Sequence, residues 1–111
     1  MSFKIIAAES FSKQLKRLSK KYKSLKMDIK PLFDSLPNSP IQGDYIGNDC
    51  YKIRLGITSK GKGKRGGARV ITCVKIVGET VFLLSIYDKS EKEDLEEKEL
   101  DKLLELADIP D

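Results

Sequence analysis

The sequence contains no histidine and no tryptophan, and its two cysteines are Cys50 and Cys73. Without histidine, a Cys/His zinc cluster, a Cys-His protease pair and any histidine general base are excluded. We therefore expect neither a metal ion nor a cofactor. In a reducing cytoplasm the two cysteines are expected to be small core residues rather than a disulfide.

Long apolar runs are also missing. The longest nearly unbroken one, residues 81–87, is about a third of the roughly 20 residues that a membrane helix needs. Residues 5–8 are too few for the apolar core of a signal peptide. The sequence therefore predicts a cytoplasmic protein that does not contact the membrane. Its 111 residues, 40% hydrophobic and 34% charged, suffice for one compact domain over residues 1–111.

Basic and acidic residues are unevenly distributed along the chain. Residues 1–75 carry 17 basic and 5 acidic side chains, a net charge of +12, whereas residues 76–111 carry 4 and 12, a net charge of −8. A basic region of this size attracts polyanions, which favours binding of nucleic acid or of an acidic protein partner. The alternative is a soluble basic surface with no anionic partner.

The N-terminal third has the apolar spacing of helices. Ser10 is placed to cap a helix, and Pro31 is not expected in an unstrained helix interior, so the pattern predicts two helices that meet near residues 22–26. Apolar residues recur there at alternating steps of four and three: Phe11, Leu15, Leu18, Tyr22, Leu25, Ile29, Leu32 and Leu36.

Downstream the apolar spacing changes to two residues, which is typical of strands. Residues 51–57 alternate between apolar and other side chains, and residues 68–77 and 80–87 are rich in β-branched and aromatic residues. The pair Gly78-Glu79 between the last two segments fits a type II′ turn. The sequence therefore predicts an antiparallel sheet.

The acidic C-terminal region has the features of a further helix. Ser90 and Glu93 have the form of a capping box, and apolar residues follow at helical spacing from Leu95 to Ala107. The acidic residues 91–101 lack the glycine and the ligand pattern of a calcium loop. We interpret them as the solvated face of this helix.

A basic glycine-rich loop separates the first two predicted strands. Residues 60–69 contain five cations and four glycines, and glycines allow a close approach of the backbone to phosphates. A Walker-type phosphate loop would continue into a helix, whereas this one continues into a strand, so binding of a nucleoside triphosphate is rejected. The alternative to phosphate binding is that the loop is a mobile hairpin tip whose charges only keep it soluble.

The register of the last two strands decides which cations share a face. A two-residue turn at residues 78–79 would pair Val70 with Tyr87 and Arg69 with Asp88. Arg69 and Tyr87 would then lie on opposite faces of the sheet. The competing interpretation of Arg69 is a cross-strand ion pair with Asp88, which contributes about 0.2–1 kcal/mol and no chemistry.

The first two predicted strands can bring further cations to the same face. If the loop between them keeps odd residues opposite even ones, Lys52 and Arg54 share the face of Arg69. The sequence then predicts a cationic cluster on a partly apolar surface. The apolar residues expected on that face are Ile71, Phe82 and Ile86.

Four segments, in their order and spacing, carry a family resemblance. They are residues 11–22 (FSKQLKRLSKKY), 51–55 (YKIRL), 60–71 (KGKGKRGGARVI) and 83–89 (LLSIYDK). Together they resemble the RelE/ParE superfamily of toxins from bacterial type II toxin-antitoxin systems, and most of all its RelE and HigB-like branch. The resemblance implies an α+β fold with two N-terminal helices packed on a small twisted antiparallel β-sheet, and a C-terminal helix.

Members of that branch bind the ribosomal A site and cleave the mRNA there. The resemblance therefore implies an endoribonuclease whose partners are the ribosome and mRNA. Its reaction is attack of a ribose 2′-hydroxyl on the adjacent phosphorus. A cognate antitoxin encoded beside the toxin suppresses such proteins, and we expect an antitoxin that is acidic or carries a helix-turn-helix domain.

The resemblance also implies roles for single residues. By match to the family motifs, Arg54 and Arg69 are the catalytic arginines, and an arginine fork can hold two phosphate oxygens. Relatives place a tyrosine or histidine base beyond the last strand. The resemblance therefore implies that Tyr87, the final tyrosine here, is the catalytic base. An unperturbed tyrosine is only about one part in a thousand ionised at pH 7. The implied RNA-binding residues are Lys52, Lys60, Lys62, Lys64, Arg65 and Lys89.

Several alternatives stay open at this point. Tyr87 could be a sheet residue, with a loop lysine or an rRNA group as the base instead. The protein could resemble the ParE-like inhibitors of DNA gyrase, or it could be an inactive relative that only binds RNA or its antitoxin. The acidic helix over residues 90–107 could also cover the basic face of the same chain.

Overall fold

The computed structural model describes residues 2–61 and 65–109. The predicted RNA-binding residues Lys62 and Lys64 lie outside these ranges. The elements follow in the order β1 (Lys4–Ala7), α1 (Glu9–Lys21), α2 (Leu25–Ser35), β2 (Asp44–Gly47), β3 (Cys50–Leu55), a 3-10 turn (Thr58–Lys60), β4 (Ala68–Lys75), β5 (Thr80–Asp88) and α3 (Glu99–Ala107). The predicted α+β fold is confirmed.

The two N-terminal helices lie where the apolar spacing predicts them, but their details differ. Helix α1 starts at Glu9, and Ser10 does not cap it. The Ser10 hydroxyl instead donates to the carbonyl of Leu84, at 2.8 Å. Contrary to the expectation that proline avoids a helix interior, Pro31 lies within α2. It lies on the exposed side of that helix, where water can take the place of the hydrogen bond that proline cannot donate.

The five strands form one mixed sheet in the order β1-β5-β4-β3-β2. The neighbouring pairs from β2 to β5 are antiparallel, as expected, but β1 runs parallel to β5. The sequence did not predict β1 or β2. Each has only four residues, which is too short for an alternating pattern to stand out.

The hairpin between β4 and β5 differs from the predicted one. Its turn contains four residues, 76–79, and a bulge in β5 leaves Leu84 without a partner in β4. Arg69 therefore lies opposite Tyr87 and shares its face, so the expected pairings with Asp88 and Val70 were wrong. At the bulge, the Gln14 side chain of α1 accepts hydrogen bonds from the Ser85 hydroxyl and the Ile86 amide, both at 3.0 Å.

The sheet buries apolar side chains on both faces. Helices α1 and α2 cover one face, which we call the α1/α2 face, where Leu18, Leu25 and Leu36 are fully buried. A smaller cluster around Leu103 of α3 covers part of the other face, which we call the α3 face. The prediction that Ile71 and Phe82 lie on the face of Arg69 is confirmed, whereas Ile86 packs on the α1/α2 face.

The C-terminal helix exists but starts later than predicted. Ser90 does not cap it, because α3 begins at Glu99. Residues 89–98 are non-helical, so the interpretation of residues 91–101 as one helix face was wrong for most of that segment. In the part of the chain that the structure describes, no helix is both long and apolar enough to cross a membrane.

Candidate nucleic-acid interface

Two arginines lie directly opposite each other at the ends of β3 and β4. The register pairs Arg54 with Arg69, so the predicted parity of this strand pair is confirmed. Like charges at opposing positions destabilise a sheet. Arg54 is exposed, and among residues 2–61 and 65–109 no carboxylate forms an ion pair with it. An arrangement of this kind suits an anionic ligand.

A glycine makes this arrangement possible. At Gly67, just before β4, a Cβ atom would lie 2.0 Å from the carbonyl oxygen of Leu55. Any side chain would therefore push β4 away from the end of β3. The sequence signal for this contact is the glycine pair that precedes Ala68 and Arg69.

Arg69 is almost completely buried, with 4% of its surface exposed. Its guanidinium donates to the carbonyl oxygens of Ala68, at 3.0 Å, and of Arg65, at 3.1 Å. These bonds attach the C-terminal end of the basic loop to the start of β4. In this arrangement Arg69 adds positive charge beneath the surface and positions the loop, whereas Arg54 is open to a ligand.

Lys52 shares the α3 face with the two arginines and contacts an acidic residue of the C-terminal segment. Its ammonium lies 3.3 Å from each carboxylate oxygen of Asp94. Burial raises the pKa of Asp94, but hydrogen bonds from the Leu95 amide and from Lys52 outweigh it, and the pKa is lowered overall. The Asp94 carboxylate therefore stays ionised and occupies Lys52.

Tyr87 lies beside the same carboxylate, and its hydroxyl donates to Asp94 at 3.4 Å. Burial and the negative charge of Asp94 raise the pKa of Tyr87 to about 12, although Arg69 acts in the opposite direction. The ammonium of Lys92 lies 5.6 Å from the centre of the Tyr87 ring. In this conformation Tyr87 is ionised less often at pH 7 than a free tyrosine, so it is less available as a proton acceptor.

A buried carboxylate fixes the start of the basic loop. Asp88 is fully buried and accepts a hydrogen bond from the Lys60 ammonium at 2.5 Å. The Tyr22 hydroxyl and the amide and hydroxyl of Ser90 also donate to it. Burial works against ionisation, but the bonds from Lys60, Tyr22 and Ser90 hold the pKa of Asp88 well below its usual range.

Lys60 is therefore committed to the fold, since only 10% of its side chain is exposed. The competing interpretation of Arg69, an ion pair with Asp88, is wrong: Asp88 lies opposite Ala68 and pairs with Lys60. Of the other predicted RNA-binding residues, Arg65 is exposed and Lys89 is half-buried.

Three acidic residues at intervals of three bind basic residues of the same chain. Asp88 binds Lys60, Glu91 binds Arg17 and Lys21, and Asp94 binds Lys52. We call residues 88–94 the acidic segment. The hypothesis that the C-terminal region covers basic groups in cis agrees with these contacts, although the covering residues precede the helix. The spacing 88, 91, 94 is the signal that the sequence offers for these contacts, whereas the prediction treats residues 91–101 as a helix face.

The family model for the RelE toxin of the RelE/RelB toxin-antitoxin system matches residues 4–110 of this chain. The crystal structure of the intact E. coli RelBE toxin-antitoxin complex contains a chain that is 26% identical, with a TM-score of 0.55, covering 78% of this chain and 96% of that one.

Two further solved structures share the fold. A mutant of the E. coli toxin RelE in the free state is 24% identical, with a TM-score of 0.57, and the match covers 84% of this chain and 90% of that one. A chain of a RelBE toxin-antitoxin complex from Mycobacterium tuberculosis is 13% identical, with a TM-score of 0.55 and coverage of 79% and 99%. Because the family model spans nearly the whole sequence, this chain belongs to the RelE toxin family of toxin-antitoxin systems.

Proposed function

We propose that this toxin is a ribosome-dependent endoribonuclease that stops translation by cleaving mRNA. The observation that carries the proposal is the opposed pair of Arg54 and Arg69, with Lys52 on the same face of the sheet. Three cations on neighbouring strand positions provide a site for the negative charge of a phosphodiester. Family membership supports the same substrate class.

The proposed reaction is an internal transfer at phosphorus. The ribose 2′-oxygen forms a bond to the adjacent phosphorus while the bond to the 5′-oxygen breaks. The 2′-hydroxyl proton goes to a base, and the leaving 5′-oxygen gains a proton. Arg54 would contact the phosphate oxygens as their charge increases, and an arginine keeps its charge at every relevant pH.

The proton acceptor explains why the reaction should need the ribosome. With a pKa of about 12, Tyr87 is ionised in about one molecule in 10⁵ at pH 7. The chain has no histidine, and Asp94, whose pKa is lowered, is a weak base. We propose that the ribosome completes the site, either by displacing Asp94 from Tyr87 and Lys52 or by supplying an rRNA group.

The surface charge favours an acidic partner. Residues 1–75 carry a net charge of +12, and two of the similar structures are toxin-antitoxin complexes. We propose that a cognate antitoxin, through acidic residues, covers the α3 face and excludes RNA. A toxin with this substrate acts in the cytoplasm, where the ribosomes are.

The test is cleavage of mRNA bound to purified ribosomes, mapped by primer extension. The wild-type protein should cut at the A site and leave ribosome-free mRNA intact. Arg54→Ala should lower the cleavage rate by about 10²–10³-fold, the loss typical of removing one charge-stabilising group, and Arg54→Lys should fall between the two. Lys26→Ala is the matched control, because Lys26 is an exposed cation on α2.

Two outcomes would overturn the proposal. The first is intact mRNA in the presence of folded wild-type protein. The second is inhibition of DNA gyrase supercoiling without arrest of translation, since this would assign the toxin to the ParE-like mode of action. Loss of cleavage in Lys26→Ala to the same degree as in Arg54→Ala would show that total charge, rather than the site, is measured.

A further inference from the structure

The two cysteines face each other across neighbouring strands beneath α3. The register places Cys50 of β3 directly opposite Cys73 of β4. The neighbouring pair consists of Asp49 and Val74. It is a hydrogen-bonded pair, because the Val74 amide donates to the Asp49 carbonyl at 2.8 Å. Because hydrogen-bonded and non-hydrogen-bonded pairs alternate, Cys50 and Cys73 form a non-hydrogen-bonded pair.

This type of pair brings two cysteines within disulfide distance. In a non-hydrogen-bonded pair the Cα atoms lie about 4.5 Å apart and the side chains approach each other. Disulfides are found at Cα separations of about 4.4–6.8 Å. Both thiols also point at one acceptor, the carbonyl oxygen of Asn48, with Sγ to oxygen distances of 3.3 Å for Cys50 and 3.9 Å for Cys73.

The surroundings make one thiol the better nucleophile. A hydrogen bond from Cys50 lowers the pKa of Cys73 against the opposing effect of burial, and the charge of Lys75 acts in the same direction. The same hydrogen bond, together with burial, raises the pKa of Cys50. The first thiolate therefore forms at Cys73, and a thiolate is the reacting form in disulfide exchange.

We propose that Cys50 and Cys73 are a native site of reversible disulfide formation, oxidised by small disulfides such as oxidised glutathione. The Cys73 thiolate attacks one sulfur of glutathione disulfide and releases one reduced glutathione. The Cys50 sulfur then attacks the Cys73 sulfur of this mixed disulfide, loses its proton and releases the second glutathione. The protein loses two hydrogen atoms, and two molecules of glutathione gain one each.

Helix α3 controls access to this site. Both cysteines are fully buried in the cluster that contains Leu103, with Leu104 and Ala107 packed against it. We expect glutathione to reach Cys73 when α3 lifts from the sheet. The rate of oxidation therefore depends on the opening of α3, and Leu103→Ala, which weakens its contact, should increase this rate.

The experiment is incubation of the folded protein with oxidised glutathione, followed by intact-mass measurement after alkylation of the remaining thiols. The wild-type protein should become two hydrogen atoms lighter, lose both alkylation sites and recover them with dithiothreitol, while its far-UV circular dichroism stays unchanged. Cys50→Ser should stop at a mixed disulfide on Cys73. Cys73→Ser should stop at the corresponding adduct on Cys50.

The control is the same incubation in urea, where the fold does not hold the cysteines together. Two free thiols in the folded protein, with a disulfide formed only in urea, would overturn the proposal. So would a wild-type protein that gives only glutathione adducts or disulfide-linked dimers. Because the wild-type measurement needs no substitution, a serine variant that failed to fold would leave the result intact.

Discussion

The two faces of the sheet differ in what covers them. On the α1/α2 face, two helices bury a continuous apolar cluster that includes Leu18, Leu25 and Ile86. On the α3 face, a single short helix covers one end, and the other end carries Arg54 and Lys52. The difference indicates that the α1/α2 face supplies most of the stability. The groups that cover the α3 face can be displaced, so this face is suited to bind a ligand.

The largest expected effect is a difference in the free energy of unfolding between variants on the two faces of the sheet. Leu18→Ala removes a side chain with no exposed surface from α1 and should lower the free energy of unfolding by about 4 kcal/mol. Leu103→Ala of α3 should lower it by about 2 kcal/mol, because the smaller cluster collapses or fills with water more easily. Urea denaturation measures both values. Equal losses would contradict the assignment of stability to the α1/α2 face.

The second prediction concerns the anchor of the basic loop. Asp88→Asn keeps the shape of the side chain but leaves the Lys60 ammonium without its buried counter-charge. We expect the free energy of unfolding to fall by about 3 kcal/mol. The matched control is Glu91→Gln, whose exposed ion pairs with Arg17 and Lys21 should contribute far less. A similar loss in both variants would show that burial of Asp88 is not the cause.

The third prediction concerns how the stabilities of the wild-type protein and of Asp88→Asn depend on pH. The pKa of Asp88 is lower in the folded state than its ordinary value, so its stabilising contribution is complete above about pH 4 and is lost as the pH falls further. The difference in stability between the wild-type protein and Asp88→Asn should therefore shrink when urea denaturation is repeated at pH 3. A difference that grew on acidification would have the wrong sign.

The smallest expected effect tests the cover of the α3 face. Asp94→Asn removes the negative charge that holds Lys52 and should increase ribosome-dependent cleavage a few-fold, since an exposed ion pair contributes about 0.2–1 kcal/mol. Glu105→Gln is the matched control, because Glu105 is an exposed carboxylate of α3. Reduced cleavage in Asp94→Asn would show that Asp94 takes part in the reaction instead of blocking it.

A spectroscopic measurement on the same variant is independent of activity. Asp94 contributes to the raised pKa of Tyr87, so Asp94→Asn should move that pKa downward from about 12, which a titration followed by carbon NMR of the tyrosine rings can resolve. An unchanged Tyr87 pKa would mean that Asp94 does not contribute to the shift.

Local patterns predicted the elements that are long enough to show a period. The apolar spacing from Phe11 to Leu36 located α1 and α2, and the two-residue alternation located β3. The four-residue strands β1 and β2 escaped prediction, because they are stabilised by hydrogen bonds to β5 and β3 rather than by a pattern of their own. The interpretation of residues 91–101 as a helix face fails for Glu91 and Asp94, because their partners are cations distant in the chain.

For the candidate site, the sequence by itself determined which residue types are present. It provided Lys52 and Arg54 two positions apart in a strand, so that both point to one face, and it excluded any histidine base. Only the tertiary structure decided that Arg69 and Tyr87 share this face, because a four-residue turn and the bulge at Leu84 set the register. A shift of one residue reverses the face of every side chain in a strand, and no local signal fixes such a shift. The cover of Lys52 by Asp94 was likewise decided by the fold, since it joins residues 42 positions apart.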